Sequence, residues 1–265
     1  MTELDATGYL DHAVYCDEIL RQTDELRSHL AGADLDATVP TCPDWSLREL
    51  AVHVSGAHRW VAEIVRTRAL ANIPPEQVPG GGGPASAEPA ALDAWLAEGA
   101  ELCAGALRDA GAEVPIWTWV GDTTTAFWAR RMVHETAVHR ADVAGLTGAE
   151  YRLAPELAAD AIDEWLGIIA FIQTARGGEK ADALRRGGRT IHLHATDAPG
   201  AEWLIELADE GVSWRRAHEK ATVAVRGPLT DVMRVFYRRL PVDTPAVEVL
   251  GDADVLDQWL AATAF

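Results

Sequence analysis

The apolar residues of this chain change from a helical to an alternating period in its second half, and that change limits the folds open to it. Up to about residue 150 they recur every three or four positions, the period of a helix with one face on a core. After a last long run at 155–176 (PELAADAIDEWLGIIAFIQTAR) and a loop at 177–188, the period falls to two. TIHLHAT, EWLIELA, VSWRRAH and ATVAVRG each alternate apolar and polar residues with turn residues between them, the pattern of strands covered on one face. At 265 residues there is room for two domains. The reading is α+β: residues 1–150 form a four-helix bundle, and residues 151–265 form a smaller α+β domain with a mainly antiparallel sheet.

The helices of the first half are readable individually. Residues 8–31 place Leu10, Cys16, Ile19, Leu20, Leu26 and Leu30 near helical spacing, and Gly32 ends the run. Ser46 and Glu49 form an S-x-x-E capping box, in which each side chain satisfies a free backbone N–H. Leu47, Leu50, Val54, Ala57, Val61 and Ile64 then make one apolar stripe. The Pro- and Gly-rich stretch IPPEQVPGGGGP (73–84) reads as a flexible linker, with a mobile lid as its alternative. A third helix spans about 86–110, and a fourth starts near Thr123 to Thr125 and runs to Leu146. In the second half, PLTDVMRVFYRRL fits a helix, AVEVLG a short strand, and residues 255–262 a last helix.

Charge and cysteine content exclude several functions. The chain carries 41 acidic against 23 basic residues, a formal charge of −18, which repels phosphate backbones and anionic lipid surfaces. Nucleic acid and membrane are therefore not expected partners. No apolar run reaches the ~20 residues of a membrane span, and the acidic N-terminus lacks a secretory pattern, so the expected location is cytoplasmic. Three cysteines, Cys16, Cys42 and Cys103, supply neither a disulfide framework nor a CxxC knuckle.

The chemistry concentrates in RRMVHETAVHRAD (130–142). Glu135 and His139 lie i,i+4 and share a face with Trp128, Met132, Val138 and Leu146. An ionised carboxylate on a core-facing stripe is costly unless it is paired or bound to metal. A carboxylate and an imidazole one turn apart can present two ligands to a divalent ion. The segment is not H-E-x-x-H, because Val138 stands where that motif needs histidine. Ion pairs of Arg131 with Glu135 and of Asp142 with His139 would account for the same four residues. A third ligand from the second helix could be His53 or His58, which flank its stripe at similar angles. His192 and His194 share one strand face and fit either a polar sheet surface or a metal.

Two segments carry a family resemblance. TCPDWSLRELAVHVSGAHRW (41–60) and HETAVHRAD (134–142) resemble the paired signatures of the mycothiol-dependent maleylpyruvate isomerase family, whose helical domain is DinB-like. RGPLTDVMRVFYRRLPVD and VEVLGDADVLDQW resemble its C-terminal domain, which is similar to sterol-carrier-like folds. The resemblance implies metal ligands at His53, Glu135 and His139, usually for zinc, with an open position for water or a thiol. It implies mycothiol as cofactor and an arginine after the C-terminal helix, Arg239, to bind a substrate carboxylate at a site between the domains. The family has a glycine where this chain has Arg238, so either arginine could fill that role. The implied substrate is a small electrophile. In an isomerase the thiolate adds to a conjugated cis double bond, the resulting single bond rotates, and elimination gives the trans product. In an S-transferase the thiol stays attached. The alternative is a non-catalytic protein binding a metal or an apolar ligand. A DNA-related role, known among DinB-like proteins, is disfavoured by the charge.

Overall fold

The structure is a computed structural model that describes residues 10–120, 124–176 and 178–264. Residues 8 and 9 of the expected first helix, Thr123 and Gly177 lie outside that set. The chain divides into two compact units after Tyr151.

The first unit contains α1 (His12–Leu30), α2 (Leu47–Thr67), α3 (Pro89–Ala110) and α4 (Thr125–Thr147). The expected capping box starts α2: Ser46 Oγ accepts from the Glu49 N–H at 3.3 Å, and Glu49 Oε2 accepts from the Ser46 N–H at 2.7 Å. Gly148, at φ +73°, closes α4 in the left-handed conformation that costs glycine least. Helix α1 packs on α3 and α4, and α2 packs on the same two. Leu26, Leu47, Leu50, Val54, Leu92, Leu96 and Val143 join these helices in an apolar core.

Helix α4 is not the one-faced amphipathic helix its spacing suggested. Residues 125 to 144 are buried almost throughout, so its polar side chains find partners inside the bundle. Arg140 pairs with Glu25 of α1 and lies over the Tyr151 ring at 4.3 Å. His134 meets Tyr15 edge-on at 6.4 Å. A small hairpin that periodicity did not reveal, β1 (Thr38–Val39) with β2 (Cys42–Ser46), precedes α2.

The 73–84 stretch is largely exposed or half-buried, as its composition suggests, but it is tied to the helices. A 3₁₀ turn at Pro75–Gln77 starts it. The Trp60 indole donates to the Ile73 carbonyl at 2.8 Å, and the Trp95 indole to that of Gly80 at 3.2 Å.

In the second unit, α5 (Pro155–Arg176) and the short α6 (Glu179–Ala183) precede the sheet. Then come β3 (Arg189–Ala195), β4 (Glu202–Leu207), β5 (Val212–Arg216), β6 (Val223–Gly227), α7 (Leu229–Phe236), β7 (Glu248–Gly251) and α8 (Ala253–Ala262). The strand order is β5-β4-β3-β6-β7. Three neighbouring pairs are antiparallel, and the central pair β3–β6 is parallel. The sheet is therefore mixed, a detail that alternation alone cannot specify. Ile191, Leu193, Val223 and Val225 bury one face, on which α7 and α8 pack. Among the described residues no helix is long and apolar enough to cross a membrane.

Candidate metal centre

Glu135 and His139, one turn apart on α4, meet His53, 82 residues before Glu135, where α2 faces α4. His53 Nε2 lies 2.9 Å from Glu135 Oε1, and His139 Nε2 lies 3.2 Å from the same oxygen. Their ligating atoms all fall within 4.8 Å of one another. Arg131, one turn before Glu135, holds the other carboxylate oxygen, Oε2, at 3.1 Å. The Trp45 ring covers His53 at 4.6 Å and reaches His139 at 6.0 Å.

The electrostatics favour an ionised Glu135. Burial raises its pKa, but hydrogen bonds from His139 and His53 and the charge of Arg131 outweigh this and hold it well below the usual carboxylate range. Burial lowers the pKa of His139, while its bonds to Asp142 and Glu135 reverse the balance and bring it up to about 9.

Asp142 explains how His139 is aimed. Its Oδ2 lies 2.8 Å from His139 Nδ1, and its Oδ1 accepts from the Thr41 hydroxyl at 2.5 Å. With Nδ1–H given to Asp142, a neutral His139 turns its Nε2 lone pair toward Glu135. Lone pair facing carboxylate is repulsive unless a proton or a cation lies between them. The raised pKa of His139 supplies that proton, and a divalent ion held by two imidazoles and one carboxylate would take its place. Both ion pairs anticipated as a metal-free account, Arg131–Glu135 and His139–Asp142, are also present. They coexist with the convergence of His53, since they use the far oxygen of Glu135 and the far nitrogen of His139. Asp142→Asn is expected to weaken zinc binding by about 10- to 100-fold with the bundle still folded. Competition against a chromogenic chelator measures this, and unchanged affinity would exclude Asp142 as the group orienting His139.

His58 has a different role. It is fully buried, and its Nε2 lies 2.8 Å from Thr136 Oγ1. The Thr136 hydroxyl donates to the Met132 carbonyl at 2.7 Å, so it accepts from the His58 N–H. Burial pushes the His58 pKa down to about 4, keeping the ring neutral. A second possible ligand group, Cys42, His139 and Asp142, shares His139. Its Cys42 Sγ stands 3.8 Å from Asp142 Oδ2, and neither Cys42 nor Asp142 lines the cavity described next.

His53 and Glu135 line a cavity of about 540 Å³, walled by Trp60, Trp119, Trp128 and Met132, with Arg131 as its cation. Pro75, Val78 and Gly81 of the expected linker form part of its wall. The Pro and Gly content of that stretch gave no sign of this, because the indole bonds that hold it come from the flanking helices α2 and α3.

Arg239 belongs to the second unit. It is buried after α7, where its Nη1 donates to the Tyr237 carbonyl at 2.7 Å. Arg238 is exposed and takes φ +63°, the left-handed conformation that a glycine would adopt without the ~1 kcal/mol cost of a Cβ. His192 and His194 lie together on β3 of the same unit.

Comparison with known proteins places these residues in context. A family model described as the mycothiol maleylpyruvate isomerase N-terminal domain matches residues 16–144, which include His53, Glu135 and His139. A second, the MDMPI C-terminal domain, matches residues 156–258, which include Arg239. Among solved structures, a mycothiol-dependent maleylpyruvate isomerase matches at 16% identity and a TM-score of 0.58, covering 91% of this chain and 93% of that one. A single-residue mutant of such an isomerase matches at 15% identity with the same score and coverage. At those identities the structural likeness speaks for the fold. No curated protein matches this chain by sequence. The two domain models follow one another in order and span both compact units, and on that ground the chain belongs to the mycothiol-dependent maleylpyruvate isomerase family.

Proposed function

We propose that this protein is a zinc- and mycothiol-dependent enzyme that activates the thiol for addition to a small electrophile. The observation that supports this best is the meeting of His53 and His139 on Glu135 beside an apolar cavity. A divalent ion held there by His53, Glu135 and His139 would keep net positive charge and would favour the thiolate form of a thiol beside it.

The chain's own residues perform the remaining work. His53 and His139 offer nitrogen lone pairs, and Asp142 keeps His139 in the required tautomer. Arg131 fixes the second oxygen of Glu135, leaving Oε1 toward the imidazoles. The tryptophans and Met132 give the cavity an apolar wall, and an apolar wall strengthens the charge interactions beside it. Arg239 is the proposed partner of a substrate carboxylate through its two-pronged guanidinium. Two of the protein's three thiols make poor nucleophiles. Cys16 and Cys103 are buried, and burial pushes the Cys16 thiol up to about 11.

The test is turnover of conjugated cis-dicarbonyl and simple electrophilic substrates with and without mycothiol. Isomerisation returns the thiol unconsumed, whereas S-transfer consumes it one for one, and mass balance of free thiol separates the two. Turnover that ignores added mycothiol across both substrate classes would overturn the proposal. A folded, metal-replete protein that only binds apolar ligands would return the non-catalytic reading to first place.

A further inference from the structure

A second convergence of ligating side chains lies on the sheet of the second unit. On β3, Ile191, Leu193 and Ala195 point into the core, which sends His192 and His194 to the opposite face. Antiparallel pairing sets Glu202 of β4 directly across from His194. His218 follows β5 and is anchored by its neighbour, since the Ala217 N–H donates to the Glu202 carbonyl at 3.2 Å.

All three imidazoles are aimed at a single atom. His192 Nε2 and His194 Nδ1 each lie 2.9 Å from Glu202 Oε2, and His218 Nδ1 lies 2.5 Å from it. The four ligating atoms are within 4.8 Å of one another. A carboxylate oxygen offers about two lone-pair directions, so three N–H donors crowd it. Three nitrogen lone pairs and one oxygen around a shared cation relieve the crowding. Tetrahedral zinc would need the ligating atoms about 3.3 Å apart, so Glu202 Oε2, now 2.9 Å from His192 and His194 and 2.5 Å from His218, would have to draw back from all three rings and furthest from His218.

We propose that His192, His194, Glu202 and His218 form a second metal site, distinct from the cavity site, for a divalent transition ion of the zinc class. A set of three imidazoles and one carboxylate suits zinc, copper(II) or nickel better than calcium or magnesium. His192 is 8% exposed and His218 73%, so the ion would sit at the surface and tie the β5–β6 connection (217–222) to β3 and β4. The site shares no residue with the His53, Glu135 and His139 group.

The experiment is zinc titration with elemental analysis on the full chain and on three variants: His53→Ala/Glu135→Gln, His194→Gln/His218→Gln, and all four changes together. About two zinc ions per chain are expected for the unaltered protein, about one for each double variant, and none for the quadruple one. The expected affinity in the His53→Ala/Glu135→Gln background is tighter than about 1 μM, with a zinc-dependent rise in thermal midpoint. Glu202→Gln, which keeps the local packing, should weaken that affinity at least about tenfold. The proposal is overturned if His53→Ala/Glu135→Gln, folded by circular dichroism, takes up no zinc. Uptake that persists in the quadruple variant overturns it equally. A single ion lost only on changing His194 and His218 would uphold this site and sink the cavity reading.

Discussion

Glu135→Gln is expected to cost about one zinc ion per chain and to cut thiol-dependent turnover by at least about 1000-fold, with the helical bundle intact. Removing a group that merely orients a ligand costs about 10- to 100-fold, and Glu135 carries the atom on which both imidazoles converge. Glutamine fills the same volume, so packing on α4 is preserved and folding is spared the cavity that alanine would leave. The charge is what disappears. A neutral amide neither balances the ion nor competes for it, and His139 loses one of the two carboxylates that flank it. Metal content and turnover should therefore fall together while far-UV circular dichroism stays unchanged. If turnover survives within about tenfold, the ion is held elsewhere. Cys42→Ser would then test the alternative group of Cys42, His139 and Asp142.

Trp128→Ala is expected to destabilise the first unit by about 3–5 kcal/mol, a fall in thermal midpoint on the order of 10 °C. The ring is fully buried and contacts Phe127 at 5.0 Å, Trp60 at 5.1 Å and Trp117 at 6.1 Å between centroids. Its indole N–H donates to the Trp117 carbonyl at 2.8 Å, so truncation leaves both a void and a carbonyl without that donor. Because Trp128 also walls the cavity, turnover should fall beyond what unfolding explains. Trp128→Phe keeps most of the aromatic contacts and should lose only about 1–2 kcal/mol, chiefly the hydrogen bond. A loss under about 1 kcal/mol for the alanine variant would mean that this aromatic cluster does not anchor α4. Denaturant unfolding at fixed metal concentration measures all three proteins.

Much of the architecture was legible in the sequence because it depends on neighbours within one or two turns. The Ser46–Glu49 capping box, the α5 helix, four of the alternating strands and the pairing of Glu135 with His139 are all set by spacings of two to four residues. Spacing could not rank His53 against His58, since both flank the stripe of α2. The rotation of α2 against α4 does so, turning His53 toward Glu135 and His58 toward Thr136. The same holds for the 73–84 stretch, whose composition says flexible but whose position is set by indoles of α2 and α3. It also holds for His192 and His194, whose companions Glu202 and His218 arrive only through strand pairing and the turn after β5. Local spacing thus determined which elements form and which faces they bury. Packing between elements decided which polar side chains meet, because such meetings depend on helix rotation and strand register, which contacts distant in sequence set.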